Sequence, residues 1–376
     1  MNSIGFYCDP NSIETNALDQ LQRYVQKEGI QSVCAFTDIH YCAEKSLPVG
    51  VAFETADHIY PLITGKDIGC GVMYLKISKA YWIKPFDKEA HYRAFSLAHQ
   101  KMTDDGLGGG NHFLSIEEDE ENIYIICHTG TRDRGIAMYQ HCRQMTVEYS
   151  QEAGLTVDYV HRSYLPETFW DDYNNLLRYG YERRKNFCIK TLIFLQNAHY
   201  VVSDKAGISR TWLQENFRYL DEEGVLDGTP YVLEDSIHNH IRPHERSVTH
   251  RKGSTELKAG KTVVIPLSMS RGSLLVTTRS ASQAVAALNS CAHGAGRRLS
   301  RFDAMKYWKT VLKEKERKAY KRQFSELLDR SGNFPSGYIQ EFDFAYKDAS
   351  DIMRFHPYLK TVAQTMPIVT VKYSEI

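Results

Sequence analysis

The 376 residues are 42% apolar and 24% charged, the balance of a soluble globular protein with room for one large or two ordinary domains. Its 46 basic side chains cancel 46 acidic ones, so net charge does not draw the whole molecule to nucleic acid, and any such site has to be a local patch. The eight cysteines form no CxxC pair, the start Met-Asn-Ser-Ile-Gly-Phe lacks the charged and apolar regions of a signal peptide, and no apolar run approaches a membrane span. Free thiols, a cytoplasmic location and no membrane partner are the expectation.

In chain order, Ser12 to Glu28 reads as a helix, because Ile13, Ala17, Leu18, Leu21, Tyr24 and Val25 form one apolar face and Gly29 stops it. Ser32 to Phe36 reads as a strand leading into Asp38 and His40, and further strands are expected at Val72 to Ile77 and Ile123 to Cys127. Helices follow at Asn186 to Val202 and Thr211 to Leu220, with Ser203 to Asp227 polar enough for a surface excursion. Strands at Thr262 to Ile265 and Leu274 to Thr277 come next. Lys306 to Arg322 then carries eight Lys or Arg against two Glu, with Met305, Trp308, Leu312 and Ala319 near helical spacing; it reads as an amphipathic helix with a basic outer face fit for phosphate contact.

Strands and helices mix without a regular βαβ rhythm, and neither a GxGxxG fingerprint nor a P-loop is present. The fold class is therefore α+β, most simply one catalytic domain over residues 1–376.

The chemistry concentrates in short polar clusters. His293-Gly294-Ala295-Gly296-Arg297 sets an imidazole beside glycines that admit a phosphate and a guanidinium that can pair with its oxygens. Alone, the pentapeptide is equally a helix start after a turn. Upstream stand Asp67-Ile68-Gly69-Cys70, Gly108-Gly109-Gly110-Asn111-His112, His128-Thr129-Gly130-Thr131-Arg132 and His238-Asn239. They supply a carboxylate, a thiolate and three imidazoles, a donor set that suits a first-row transition ion. By ligand type alone zinc serves as readily as manganese. Taken singly, each cluster is also compatible with a buried Cys, a strand-end His or a flexible glycine loop.

Taken in order these clusters resemble the RtcB-type RNA ligases, here in a shorter bacterial form. The similarity extends through Thr37 to His40, Leu47 to Gly50, His250 to Gly253, Pro266 to Met269, Ser300-Arg301, Ala345 to Asp348 and Val371-Lys372. The resemblance implies a GTP-dependent ligase that joins RNA ending in a 3′-phosphate or 2′,3′-cyclic phosphate to a 5′-hydroxyl. In that scheme His293 takes GMP, the guanylyl group passes to the RNA 3′-phosphate to give an RNA-ppG end, and the 5′-hydroxyl displaces GMP.

By the same resemblance Asp67, Cys70, His112, His128 and His238 hold two manganese ions. Asn111, Asn239, Pro266, Ser268, Met269, Ser273, Gly294, Ala295, Gly296 and Lys372 line the nucleotide, and Arg132, Lys252 and Arg297 stand near RNA or triphosphate oxygens. RNA is the implied partner, with an activating helper protein as a further candidate, and RNA repair or tRNA processing is the implied setting. Three positions depart from the pattern: Leu267 and Tyr373 replace glycines, and Ser115 replaces a glutamate. Glu117, on the same strand face as Ser115, is placed to compensate. Two other readings share the residues: a manganese phosphodiesterase that only opens cyclic phosphates, and a catalytically silent protein that binds RNA ends.

Overall fold

The protein is represented by a computed structural model that describes residues 4–42, 47–100, 106–204 and 220–372. Its strands sort into antiparallel and mixed sheets with helices around them, an α+β architecture. One five-stranded sheet has the order β1 (Ile4–Tyr7), β2 (Ile30–His40), β3 (Val49–Thr55), β12 (Val248–Lys252) and β11 (Asn239–Pro243), parallel only between β1 and β2. A six-stranded antiparallel sheet has the order β18 (Met366–Lys372), β6 (Phe113–Glu118), β7 (Asn122–Thr129), β5 (Gly71–Ser78), β10 (Thr229–Ile237) and β9 (Glu223–Leu226). A three-stranded sheet joins β14 (Thr262–Ser268), β15 (Gly272–Thr278) and β17 (Leu359–Gln364). Two short pairs complete the set, β4 (His58–Ile59) with β8 (Val160–His161) and β13 (Ser254–Glu256) with β16 (Ser290–Ala292).

The helices are α1 (Thr15–Val25), α2 (Lys88–Gln100), α3 (Asp133–Glu152), α4 (Phe169–Asn197), α5 (Ala281–Ala286), α6 (Arg301–Thr310), α7 (Glu314–Gln323), α8 (Ser336–Ile339) and α9 (Ala349–Phe355). The six-stranded sheet is buried on both faces, which is why β5 reads as apolar from Val72 to Leu75 and β7 from Ile123 to Cys127. Met73, Leu75, Ile77, Ile123 and Ile125 face Phe187, Cys188 and Leu192 of α4. On the other face Val72, Tyr74, Tyr124 and Ile126 pack against Val264 and Leu275 of the three-stranded sheet.

All the expected strands form, each extended by one to four residues at one or both ends. The helices differ more. The first is shorter than Ser12 to Glu28, because a 3-10 turn at Pro10–Ser12 precedes it and it ends at Val25. α4 starts seventeen residues before Asn186, using Phe169, Tyr173 and Leu176 as its buried stripe, and stops at Asn197 because His199 takes φ +57°. The helix expected at Thr211 to Leu220 lies outside the described residues except for Leu220, whereas part of the polar stretch after it forms edge strand β9. The basic segment is two helices, α6 and α7, because the chain turns at Val311 to Lys313 and Arg317 Nη1 donates to the carbonyls of Trp308 and Lys309 at 3.1 and 3.3 Å. Tyr320, not the exposed Ala319, packs toward Trp308.

Beneath β16 lies a charged network that fixes the strand leading to His293. Glu256 accepts from Arg242 at 2.8 and 3.0 Å and lies 3.4 Å from Arg251 and 3.6 Å from His240. Arg251, 2% exposed, also donates to Ser290 Oγ at 2.9 Å and to the Leu288 carbonyl at 3.0 Å. Burial opposes ionisation of Glu256, but the hydrogen bond from His240 and the charges of Arg251 and Arg242 hold its carboxyl far below its usual range. A depressed folded-state value means that this carboxylate stabilises the fold fully above the ordinary 4.5 and loses that contribution as pH falls toward the lower folded value. Glu256→Gln is expected to lower the unfolding free energy by about 3–5 kcal/mol at neutral pH, since it strands the buried Arg251 guanidinium and unpairs the partly exposed Arg242. It is also expected to flatten the acid limb of stability against pH, as urea unfolding from pH 7 to pH 3 will show.

Candidate metal centre and nucleophile

Four neighbouring strands of the six-stranded sheet bring the potential ligands to one place. Because they are antiparallel, the starts of β5 and β6 and the ends of β7 and β10 share one edge: Phe113 pairs with His128, Val72 with His128, and Ile237 with Gly71. Cys70 immediately precedes β5, His112 precedes β6, His128 is the penultimate residue of β7 and His238 follows β10. Asp67 joins them from the turn before Cys70, where the Cys70 amide donates to its carbonyl at 3.2 Å.

Two groups of ligand atoms result, Cys70 with His128 and His238, and Cys70 with Asp67 and His112, each within 4.8 Å. Cys70 is common to both. Its Sγ lies 3.4 Å from His112 Nε2 and 3.3 Å from His128 Nε2; His128 Nε2 is 3.3 Å from His238 Nε2, and His112 Nε2 is 3.3 Å from Asp67 Oδ2. His128 Nδ1 lies 3.1 Å from the Asn111 carbonyl, to which it donates, so its Nε2 presents a lone pair to the cluster.

Burial and the neighbouring imidazoles push His128 and His238 well below the usual histidine range, leaving both neutral at pH 7. Burial raises the Asp67 carboxyl, yet the hydrogen bond and charge of His112 outweigh it and bring it to about 2. Imidazole nitrogens, a carboxylate oxygen and a thiol sulfur packed within 3.3–3.4 Å of one another form a donor set that a divalent cation fits, and the shared sulfur allows two ions.

His293 stands beside this cluster, its ring centroid 4.9 Å from that of His238. Its Nδ1–H donates to Asp38 Oδ2, and the backbone amides of His293 and Gly294 donate to the same oxygen at 2.9 and 3.0 Å. Asp38 is 3% exposed; burial raises its carboxyl, but the charge and hydrogen bonds of His293 overcome that and keep it ionised below its ordinary range. The clamp fixes the tautomer and leaves Nε2 as the free nucleophilic nitrogen. Gly296 makes the approach feasible: its φ is +74°, and a Cβ there would meet Asp38 Cα at 2.7 Å and the Thr37 carbonyl at 2.9 Å.

The glycine motif also gathers the remaining segments. Ala295 N donates to the Pro266 carbonyl at 2.9 Å, Lys347 N to the Gly296 carbonyl at 3.0 Å, and Arg297 forms a β-bridge with Tyr346. A cavity of about 270 Å³ opens where these segments meet, lined by Leu267, Ser268, Tyr346 and Lys347 among others. Ser268 Oγ is buried there with no partner among the described residues. Met269 is buried against Trp308 and Phe342. Lys372 reaches the same region, with Nζ 3.1 Å from Glu341 Oε2.

Several expected contact residues are engaged by the protein itself. Arg297 donates to Leu299 and Gln340 carbonyls and to Tyr346 Oη at 2.8–2.9 Å. Asn239 donates to the Asp67 carbonyl at 3.3 Å and accepts from Gly253 N at 2.7 Å, tying the ligand turn to β11. Asn111 is exposed, and Lys252 is buried with Nζ 3.2 Å from Cys42 Sγ. Arg132 lies against the glycine loop: a Cβ on Gly108 would meet its Nη1 at 2.7 Å and His112 Nδ1 at 2.6 Å. Its backbone takes the uncommon φ of +54°, a strain of about 1–3 kcal/mol retained where the chain leaves β7 for α3.

Of the three departures, Leu267 is buried in the core, Tyr373 lies outside the described residues, and Ser115 donates to Glu117 Oε1 at 2.7 Å. Glu117 is 3% exposed and also accepts from Ser273 at 3.3 Å and from Thr365. Its carboxylate is thus committed to three hydroxyls.

A sequence model described as tRNA-splicing ligase RtcB matches residues 208–373. The RNA-splicing ligase RtcB2 of Escherichia coli (strain ATCC 25922) is 24% identical, covering 96% of this chain and 93% of that protein. The RNA-splicing ligase RtcB of Escherichia coli (strain K12) is 23% identical over 96% of this chain and 95% of its own length. The chain is similar to RtcB ligases along nearly its whole length. A tRNA-splicing ligase RtcB from Nanoarchaeum equitans is 25% identical over 71% of this chain and 59% of that protein.

Sequence reasoning noted the Thr37 to His40 segment but gave Asp38 no role, because nothing in the sequence shows that an acid 255 positions away orients His293.

The shared sulfur makes a testable difference among the candidate ligands. Cys70→Ala is expected to lose both metal equivalents, whereas His112→Ala and His238→Ala each retain about one. Metal analysis after dialysis against manganese or zinc checks this, and two equivalents in Cys70→Ala would contradict it.

Proposed function

We propose that this chain is an RNA ligase that joins 3′-phosphate or 2′,3′-cyclic phosphate ends to 5′-hydroxyl ends, working as one catalytic domain through a histidine-bound GMP. The observation that carries the reading is the Asp38 clamp on His293 Nδ1, which leaves Nε2 as the outward ring nitrogen alongside His238 and the ligand cluster. In the first step Nε2 attacks the α-phosphorus of GTP, a P–N bond forms and pyrophosphate leaves. A 3′-phosphate oxygen of RNA then breaks that bond and takes the guanylyl group. The 5′-hydroxyl oxygen attacks the 3′-phosphorus last, forming the phosphodiester as GMP departs. A cyclic end must first be hydrolysed to the 3′-phosphate.

Asp67, Cys70, His112, His128 and His238 are the residues proposed to hold two manganese ions. Bound there, divalent cations neutralise phosphate charge and activate attacking oxygens. Asp38 holds one imidazole proton throughout and supports the positive charge that develops on the ring.

Nucleotide contacts are assigned to Asn111, Asn239, Pro266, Ser268, Met269, Ser273, the Gly294–Ala295–Gly296 turn and Lys372. With Ser115 lacking a carboxylate and Glu117 committed to hydroxyls, Glu341 is the acidic group beside Lys372 that matches a purine presenting both donor and acceptor edges. Arg132, Lys252 and Arg297 are assigned to RNA or triphosphate oxygens, directly or by holding neighbouring backbone. Residues around α6 and α7 supply a basic surface for RNA, so binding should weaken as salt rises. The proposed setting is RNA repair or tRNA processing in the cytoplasm, with an activating helper protein as a further partner.

The test uses GTP labelled at the α-phosphate with manganese and the purified protein. The wild-type chain should form an acid-labile adduct, His293→Gln should form none while keeping its metal, and Asp38→Asn should form it roughly 10²–10⁴-fold more slowly. With end-labelled RNA, a 3′-phosphate and 5′-hydroxyl nick should seal only with GTP, and a 3′-hydroxyl with 5′-phosphate should stay open. Opening of cyclic phosphates without joining would establish the phosphodiesterase reading instead; binding of RNA ends with neither reaction would establish the silent binder.

A further inference from the structure

The proposed ligands arise from segments around residues 67–70, 106–112, 128–130 and 235–238, and no two of those segments are consecutive in the chain. Two adjacent arginines on α4 grip all four. Arg184 is 0% exposed: Nε and Nη2 form a bidentate pair with Asp235 at 2.6 and 2.8 Å, and Nη1 donates to the carbonyls of Gly69 at 2.9 Å and Thr129 at 3.0 Å. Arg183 donates from Nε to the Gly130 carbonyl at 3.0 Å and from Nη2 to the Gly106 carbonyl at 2.7 Å.

The gripped groups are not scattered. Gly69 adjoins Cys70, Thr129 adjoins His128, Gly106 opens the loop that ends in His112, and Asp235 stands three residues before His238. α4 comes close enough because Gly180, one turn before the arginines, has no side chain: a Cβ there would lie 3.0 Å from Thr131 Cγ2 and 3.1 Å from the Gly69 carbonyl. Just beyond the arginines the same helix places Phe187, Cys188 and Leu192 in the main apolar core. Burying two guanidiniums among such residues costs several kcal/mol in desolvation, so the pair is not what burial of this helix requires. What it does supply is fork-shaped donors that bind several backbone acceptors at fixed mutual angles, which an ammonium cannot do.

We propose that Arg183 and Arg184 are the positioning residues of the metal centre, holding the four ligand-bearing segments in register in the metal-free chain. The proposal rests on the metal-centre reading. Its test compares the full chain with Arg184→Lys, Arg183→Lys and Leu192→Ala, all stripped with chelator. Manganese affinity is measured by titration calorimetry, and thermal unfolding is followed without metal. Both lysine variants keep the charge and lose the fork, so each is expected to bind manganese about 10–100-fold more weakly. Leu192→Ala, which opens a cavity on the same helix, should lower the unfolding temperature at least as much as Arg183→Lys yet bind metal with wild-type affinity. Wild-type affinity in both lysine variants overturns the positioning role, as does an equal loss in Leu192→Ala, which would make the effect one of general stability. Should Arg184→Lys not fold, the comparison of Arg183→Lys with Leu192→Ala decides alone. A wild-type chain that takes up no manganese, cobalt or zinc removes the metal-centre reading itself, an outcome distinct from the others.

Discussion

The antiparallel pairing of β6, β7, β5 and β10 is the constraint on which the rest of this structure depends. In such a ladder neighbouring strands run in opposite directions, so one sheet edge collects the start of one strand and the end of the next. Cys70, His112, His128 and His238 occupy those four positions, and a slip of one residue in any pairing would turn a ligand to the opposite face. Burial of both faces of the sheet enforces the register, because the alternating side chains of β5 and β7 fill two different cores, one under α4 and one under the three-stranded sheet.

The proposed nucleophile is placed by a different device. His293 follows a short strand, β16, and its position comes from Asp38 at the far end of β2 together with the Glu256–Arg251 network below. One Asp38 oxygen receives three N–H donors, two from backbone and one from the ring, so the carboxylate orients the imidazole and anchors the glycine turn in the same contact. Such a buried acid is stable only because those donors replace its lost water. Two rigid frames therefore meet at the His238–His293 contact, one carrying ligands and the other the free Nε2.

In the proposed nucleotide region the acidic function keeps its polarity but not its position. Where the family pattern has a glutamate, Ser115 instead passes a hydrogen bond to Glu117, two residues along the same strand face, and that carboxylate is closed off by Ser273 and Thr365. Lys372 meets its acid from another direction, through Glu341 in the segment after α8. The metal side carries no comparable rearrangement: all five expected ligands lie in the two overlapping groups.

The strands were legible in the sequence because Val72 to Ile77 and Ile123 to Cys127 are runs of apolar and β-branched residues, and the donor types of the site were legible because Cys, His and Asp beside glycine are few and chemically distinct. The α+β class followed from the irregular order of those elements. The first half of α4 was not legible, since Phe169, Tyr173, Leu176 and Gly180 are separated by charged and polar residues whose partners lie elsewhere in the chain, and neither was the division of the basic segment, which Arg317 caps from the second helix. Likewise the sequence holds no sign that Asp38 belongs to His293 or that Arg183 and Arg184 hold the ligand loops, because those contacts span between 51 and 255 positions. Local residue type determined which groups were available; only the packing of sheets against α4, which sets distances across the chain, decided which of them meet.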